Sequence, residues 1–258
     1  MKKVIAMVMT SFWLTFFLIG CSNNKETEES TITFAAAASL KNCMDDKLIP
    51  MFKQQYSDIK IQTTYDSSGK LQTQIEEGAP IDIFMSAAMK QMTALDEKGL
   101  IVKDSIVQLL ENKIVLIVSQ KNTKGISAFE DILKADKIAI GDPSSVPVGQ
   151  YAKETLTNIK IWNEVIAKAS LGTNVTEVLN WVAEGSADAG IVYSTDAVSN
   201  KKVKTVAEAP EGSVSKVIYP LGIVKATRNE VAAKKFVEFL KTDEANKVFE
   251  SYGFKKNK

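Results

Sequence analysis

The chain has 258 residues, 45% hydrophobic and 24% charged, an ordinary globular composition with apolar material for one large core or two modest ones. It contains no histidine, which excludes Ser-His-Asp and Cys-His nucleophile systems and the common zinc sites together. Arg228 is the sole arginine and no basic stripe is interleaved with aromatics, so a nucleic-acid surface is excluded too.

Lys2 and Lys3 precede an apolar run from Val4 to Ile19 that ends in Leu18-Ile19-Gly20-Cys21. A basic start, a short apolar stretch and a small residue before the cut predict a signal peptide over 1–20. The run is somewhat short for a transmembrane helix, which needs about 20 residues, and no second hydrophobic segment follows. Leu-Ile-Gly-Cys resembles the bacterial lipobox, in which the peptidase cuts before the Cys and the thiol carries a diacylglyceryl group. The resemblance implies that Cys21 anchors the chain to the extracytoplasmic face of the cell membrane. Loss of Lys2 and Lys3 with the leader takes the formal charge from +1 to −1, so no global field recruits an anion. Residues 21–30 are polar, acidic and aperiodic, and read as a tether. Cys43, left without a partner, is expected as a buried core thiol and not as half of a disulfide.

From Thr31 short β-rich runs alternate with helical periods. Strands are predicted at Ile32 to Ala36, Ile59 to Thr64, Ile81 to Ser86, Ile114 to Ser119, Ile138 to Gly141, Gly190 to Tyr193, Val203 to Val206 and Val217 to Val224. Leu40, Met44 and Leu48 share a helical face, and Pro50 is expected to end or kink that helix near Ile49. Leu71 with Ile75, and Met89, Met92 and Leu95 before Gly99, mark two more helices. Ser127 and Glu130 form a capping-box pattern, and Val178, Leu179 and Val182 form a stripe ended by Gly185. This rhythm predicts an α/β fold with largely parallel sheets, in two lobes.

In open α/β sheets ligands bind beyond the carboxyl ends of strands, where helix starts offer free N–H groups. Five junctions qualify. Phe34 to Leu40 places Ser39 at an N-cap position. Thr64 to Leu71 offers Ser68, with Gly69 letting a ligand approach the backbone. Val146-Pro147-Val148-Gly149 opens a helix in which Pro147 lacks a donor and Val148 N–H is free. Gly172-Thr173-Asn174-Val175 makes Asn174 a cap and Val175 N–H an orphan donor. Gly190 to Tyr193 ends a strand with a phenol. Together these supply donors with almost no balancing side-chain charge, which suits a fully ionised oxyanion that only accepts hydrogen bonds.

Phe34 to Leu40, Ser67 to Leu71 with Gln74 to Ala87, Gly141-Asp142-Pro143 with Val146 to Lys153, and Gly190 to Ala197 resemble, in order, the molybdate-binding proteins of ABC importers. The resemblance covers essentially all of Thr31 to Phe254. It implies a type II periplasmic-binding-protein fold, two α/β lobes joined by crossover hinge strands, with the anion between them. Its site uses Ser39, Ser68, Val148 and Val175 through backbone N–H groups and the two hydroxyls, plus the Tyr193 phenol. No metal is directly coordinated and no cofactor is implied beyond the bound ligand, molybdate or tungstate. The implied partner is an ABC permease in the membrane, and the protein is expected to be a monomer and not an enzyme. The crossing strands would be Lys113 to Ser119 and Lys216 to Val224, giving lobe one 31–113 and 217–258 and lobe two 114–216. Asp66 departs from the small neutral residue many relatives carry there; it is expected to face solvent or cap a backbone N–H.

Three rival readings are weaker. Sulfate and phosphate are also tetrahedral, but phosphate keeps a proton near neutral pH and rewards an acceptor, whereas sulfate differs mainly in size. Ser67-Ser68-Gly69-Lys70 matches the S-x-x-K pattern of serine acyl-transfer enzymes, with Ser67 as nucleophile and Lys70 beside it, yet the companion S-D-N and K-T-G motifs are absent. An amino-acid carrier would want a bidentate Arg, and Arg228 lies away from the junctions.

Overall fold

The computed structural model describes residues 30–122 and 124–257, so the expected signal peptide, the Cys21 anchor and residues 21–29 of the tether lie outside the described residues. The strands in chain order are β1 (Ser30–Ala37), β2 (Ile59–Asp66), β3 (Ile83–Met85), β4 (Val107–Asn112), β5 (Ile114–Ser119), β6 (Ile138–Gly141), β7 (Ala169–Gly172), β8 (Ala189–Tyr193), β9 (Val203–Glu208), β10 (Val217–Ile223) and β11 (Lys255–Lys256). They build two sheets, one in the order β11-β4-β10-β3-β1-β2 and one in the order β7-β6-β8-β5-β9. Each sheet is the centre of one lobe. The chain changes sheet directly at Lys113, between β4 and β5, and returns through 209–216, between β9 and β10. The two strands expected to cross therefore each stay within one sheet, and the joints between strands do the crossing.

The expectation of largely parallel sheets is corrected, because both are mixed. β1 runs parallel to β2 and β3, and β6 parallel to β7 and β8, but β10 is antiparallel to β3 and β4, β11 to β4, and β5 to β8 and β9. Parallel neighbours need a helical crossover over their own sheet. β5 and β10 enter from the other lobe without one, so nothing imposes the parallel direction on them. The central strands β3, β6, β8 and β10 are buried throughout, and β5 in all but its last residue, which is why they read as continuous apolar runs. The edge strands β7 and β11 are short and partly or fully exposed, and no apolar pattern announces them.

Helices α1 (Lys41–Cys43), α2 (Ile49–Gln55), α3 (Ser68–Glu76) and α4 (Met89–Glu97) belong to the first lobe; α5 (Pro147–Asn158), α6 (Trp162–Ile166), α7 (Val175–Ala183) and α8 (Ser194–Ser199) to the second; α9 (Glu230–Leu240) and α10 (Asp243–Ser251) return to the first. Pro50 does not end its helix. A π-helical turn over Met44–Leu48 joins α1 to α2, with Ile49 N–H reaching back to the Met44 carbonyl, and this irregular turn accommodates Pro50, which has no N–H to continue the ladder. The capping box at Ser127 is also corrected. Asp131, one position beyond Glu130, accepts from Ser127 N–H (2.9 Å), Ser127 Oγ (2.9 Å) and Ala128 N–H (3.2 Å) at the start of a short 3-10 turn. Cys43 is buried, its Sγ donating to the Leu40 carbonyl at 3.1 Å, and burial pushes its thiol pKa well up.

Candidate functional site

The carboxyl ends of β1, β2, β6, β7 and β8 converge between the lobes on a narrow cavity of about 10 Å³. It gathers all five residues singled out in the sequence, Ser39, Ser68, Val148, Val175 and Tyr193, although they span 154 positions of the chain. Ser67, Asp66 and Ala87 line it as well.

Ser39 arrives by an unexpected route. Ala37, and not Ser39, precedes the 3-10 turn Ala38–Leu40, and Ser39 sits inside that turn with no capping bond. Its Oγ is instead 2.9 Å from the Tyr219 hydroxyl on β10. Ser68 opens α3 and is fully buried, its Oγ accepting the Ala87 N–H at 3.0 Å; its own proton remains to be donated. Ser67 is the N-cap residue of α3, yet its buried hydroxyl makes no capping bond and has no hydrogen-bond partner among the described residues. Sequence reasoning ranked it below Ser68; an unpaired buried hydroxyl is a tertiary fact with no signature in the chain.

In the second lobe Pro147 is the first residue of α5, which leaves Val148 N–H without an intrahelical acceptor. Gly149 allows that helix start to reach the sheet, since a Cβ there would overlap the Gly141 carbonyl. Asn174 caps α7 as its sequence suggests, accepting Glu177 N–H at 3.1 Å, and Val175 is the first helical residue. Tyr193 ends β8, buried, with its hydroxyl donating to the Ala87 carbonyl at 3.4 Å, a long bond that is easily surrendered. Burial holds the Tyr193 and Tyr219 phenols well above their ordinary pKa, so both keep their protons.

No lysine or arginine side chain lines the cavity. Its one carboxylate, Asp66, accepts the Ser67 N–H at 2.7 Å and pairs with Lys70 at 3.3 Å, the capping role expected of it. Lys70 is thereby drawn to Asp66 and does not form a hydrogen-bonded pair with Ser67. The lobes touch across the cleft: Gly69 N–H donates to the Ser145 carbonyl at 3.0 Å, and Gln91 Nε2 to Gln150 Oε1 at 3.2 Å. A Cβ on Gly69 would overlap Ser145, so this glycine serves the meeting of the lobes and not the approach of a ligand. The result is a small chamber of oriented neutral donors, suited to a compact anion with several acceptor oxygens.

Residues 32–255 match the family described as bacterial extracellular solute-binding protein. The Bacillus subtilis protein YvgL, which bears the name of an ABC transporter substrate-binding lipoprotein, is 42% identical over 247 residues, covering 93% of this chain and 95% of its own. The molybdate-binding protein ModA of Haemophilus influenzae is 40% identical over 228 residues, covering 86% and 89%. A solved substrate-binding domain from Clostridium difficile, described as that of a molybdenum ABC transporter, superposes with a TM-score of 0.68 at 42% identity, covering 89% of this chain and all of that one.

Proposed function

Because the chain belongs to the bacterial extracellular solute-binding proteins, we propose that it binds molybdate or tungstate between its lobes and delivers the anion to the membrane permease of an ABC importer. It is a carrier and not a catalyst. The observation that carries the reading is the chamber itself: Ser39, Ser68, Val148, Val175 and Tyr193 around one cavity without a cationic side chain. Such a set offers several donors, and a tetrahedral dianion only accepts. Each charge-assisted hydrogen bond contributes about 1.5–3 kcal/mol net, so several together offset the desolvation of a buried dianion. A binding free energy of about −8 to −12 kcal/mol, micromolar to nanomolar, is within reach.

We assign the five residues as ligands through backbone N–H groups of Ser39, Ser68, Val148 and Val175, the two serine hydroxyls and the phenol, with Ser67 as a sixth contributor. Residues 31–113 with 217–258 form one lobe and 114–216 the other. Closure completes the donor shell, so the anion stabilises the closed form that the permease recognises. The protein acts as a monomer, tethered through a lipidated Cys21.

Calorimetric titration with molybdate, tungstate, sulfate and phosphate tests the ligand. Molybdate and tungstate should bind at micromolar concentration or below and sulfate and phosphate far more weakly; sulfate binding as tightly as molybdate would overturn the assignment. Mass spectrometry of the membrane fraction should find diacylglyceryl on Cys21, and an unmodified Cys21 in mature protein would remove the anchor.

A further inference from the structure

A serine hydroxyl donates or accepts according to where its neighbours force its single proton. At Ser39 the neighbours form a chain that begins outside the cavity. Asn112, the last residue of β4, accepts at Oδ1 from the Lys113 backbone N–H (2.8 Å) and from Ser194 Oγ (2.9 Å). A backbone N–H can only donate, so the amide cannot be turned over, and its Nδ2 must face Thr195 Oγ1 (3.0 Å) and the Tyr219 hydroxyl (3.3 Å). An amide nitrogen donates only. Tyr219 therefore receives at its oxygen, and Ser39 Oγ, 2.9 Å away, is the hydrogen-bond partner left for its one proton among the described residues. Tyr219 is fully buried, with Tyr193 and Phe254 packed edge-on against its ring, so it cannot swing away. With Tyr219 as the donor in that bond, Ser39 Oγ has its own proton to direct into the cavity that it lines.

We propose that Asn112 and Tyr219 are positioning residues that hold Ser39 as an obligate donor and thereby make the cavity reject tetrahedral oxyanions that still carry a proton. The inference rests on the oxyanion reading above and deepens it. A protonated oxyanion of the same charge brings one O–H that needs an acceptor. A serine free to rotate would supply it; Ser39 is not free. Ser68 is turned the same way by the Ala87 N–H, and Asp66, the one carboxylate at the cavity, is engaged by Ser67 N–H and Lys70. Removing the Tyr219 hydroxyl releases Ser39 to accept as well as donate.

The test uses selenate and arsenate, tetrahedral anions of similar size that near pH 7.5 differ by one proton at equal charge. Binding of molybdate, selenate and arsenate is measured by competition calorimetry for the full folded chain and for Tyr219→Phe. The variant should lose up to about tenfold in molybdate affinity, as one hydrogen bond becomes less well directed, while the selenate-to-arsenate preference falls about fivefold or more. A merely structural role would weaken all three anions alike and leave that ratio unmoved. Asn112→Asp, which replaces the donor at Tyr219 with an acceptor that takes the phenol proton, should move the ratio in the same direction and covers a failure of Tyr219→Phe to fold. A folded variant that binds molybdate with an unchanged ratio overturns the inference. If the unmodified chain binds no molybdate, the oxyanion reading itself falls, and the two failures are told apart in one set of titrations.

Discussion

The Gly69 N–H of the first lobe donates to the Ser145 carbonyl of the second at 3.0 Å, and no side chain fits at position 69 with the lobes in this arrangement. Gly69 lies in the first turn of α3 with an ordinary helical backbone, so alanine is acceptable to the helix and unacceptable only to the closed cleft. Gly69→Ala should thus fold normally, yet bind molybdate at least about tenfold more weakly and stay extended when it is added, since the lost closure is worth a kcal/mol or more. X-ray scattering with and without molybdate, beside calorimetry, reads both. Compaction and affinity equal to the parent chain would show that closure tolerates the methyl group.

Ser39→Ala and Tyr193→Phe each remove one donor from the chamber and leave the packing in place. Each should weaken molybdate binding by about 1–3 kcal/mol; Tyr193→Phe should keep the parent unfolding temperature, while Ser39→Ala, which strips the buried Tyr219 hydroxyl of its 2.9 Å partner, should also lower it. Unchanged titration curves for both would take these residues out of the site.

Ser67→Ala should separate stability from binding. The hydroxyl is buried and unpaired among the described residues, which costs the anion-free protein about 1–3 kcal/mol. Alanine relieves that cost, so the anion-free variant should unfold a few degrees higher, while molybdate binding weakens. Loss of both stability and affinity would mean that the hydroxyl has a partner in solution.

Asp196, in the first turn of α8, is buried with Oδ2 unpartnered among the described residues, and burial raises its carboxyl pKa to about 7. An unfolded chain ionises such a group near pH 4. Between about pH 4 and 7 the folded protein holds a proton that the unfolded one has lost, so stability falls as pH rises through that window and levels off above it. Asp196→Asn should remove this slope and gain about 2–4 kcal/mol relative to the parent between pH 4 and pH 8. Urea unfolding of both proteins at several pH values gives the comparison; parallel profiles would dismiss the buried carboxyl as its cause.

Cys43 is buried with its thiol pKa pushed up, so with Cys21 lipidated or replaced by Ser the native protein should not react with a thiol reagent at pH 8. Its modification should track global unfolding in urea. Rapid labelling of native protein would reveal a local opening of the first lobe near α1.

Where local chemistry decides, the chain was readable. Asn174 caps α7 and Pro147 opens α5 because these preferences act within one turn. Gly99 closes α4 at φ +67° for the same reason. Where a local preference met tertiary packing, packing won. Ser39 has the residue type of an N-cap, but Tyr219, 180 positions away, claims its hydroxyl. Pro50 has the residue type of a helix breaker, but the fully buried Met44, Leu48 and Phe52 hold the chain helical through a π turn. The strand directions of β5 and β10 were illegible because they follow from which sheet a strand enters, and the chain carries no local mark of that.

The sequence by itself determined the starts of α5 and α7 and their unused N–H groups, since each depends on neighbours a few residues apart. Only the tertiary structure decided that these starts meet in one chamber and which way each hydroxyl proton points. A hydroxyl's direction is set by donors and acceptors brought from distant strands, Asn112 and Tyr219 for Ser39 and Ala87 for Ser68, and those distances exist only once both sheets are folded against each other.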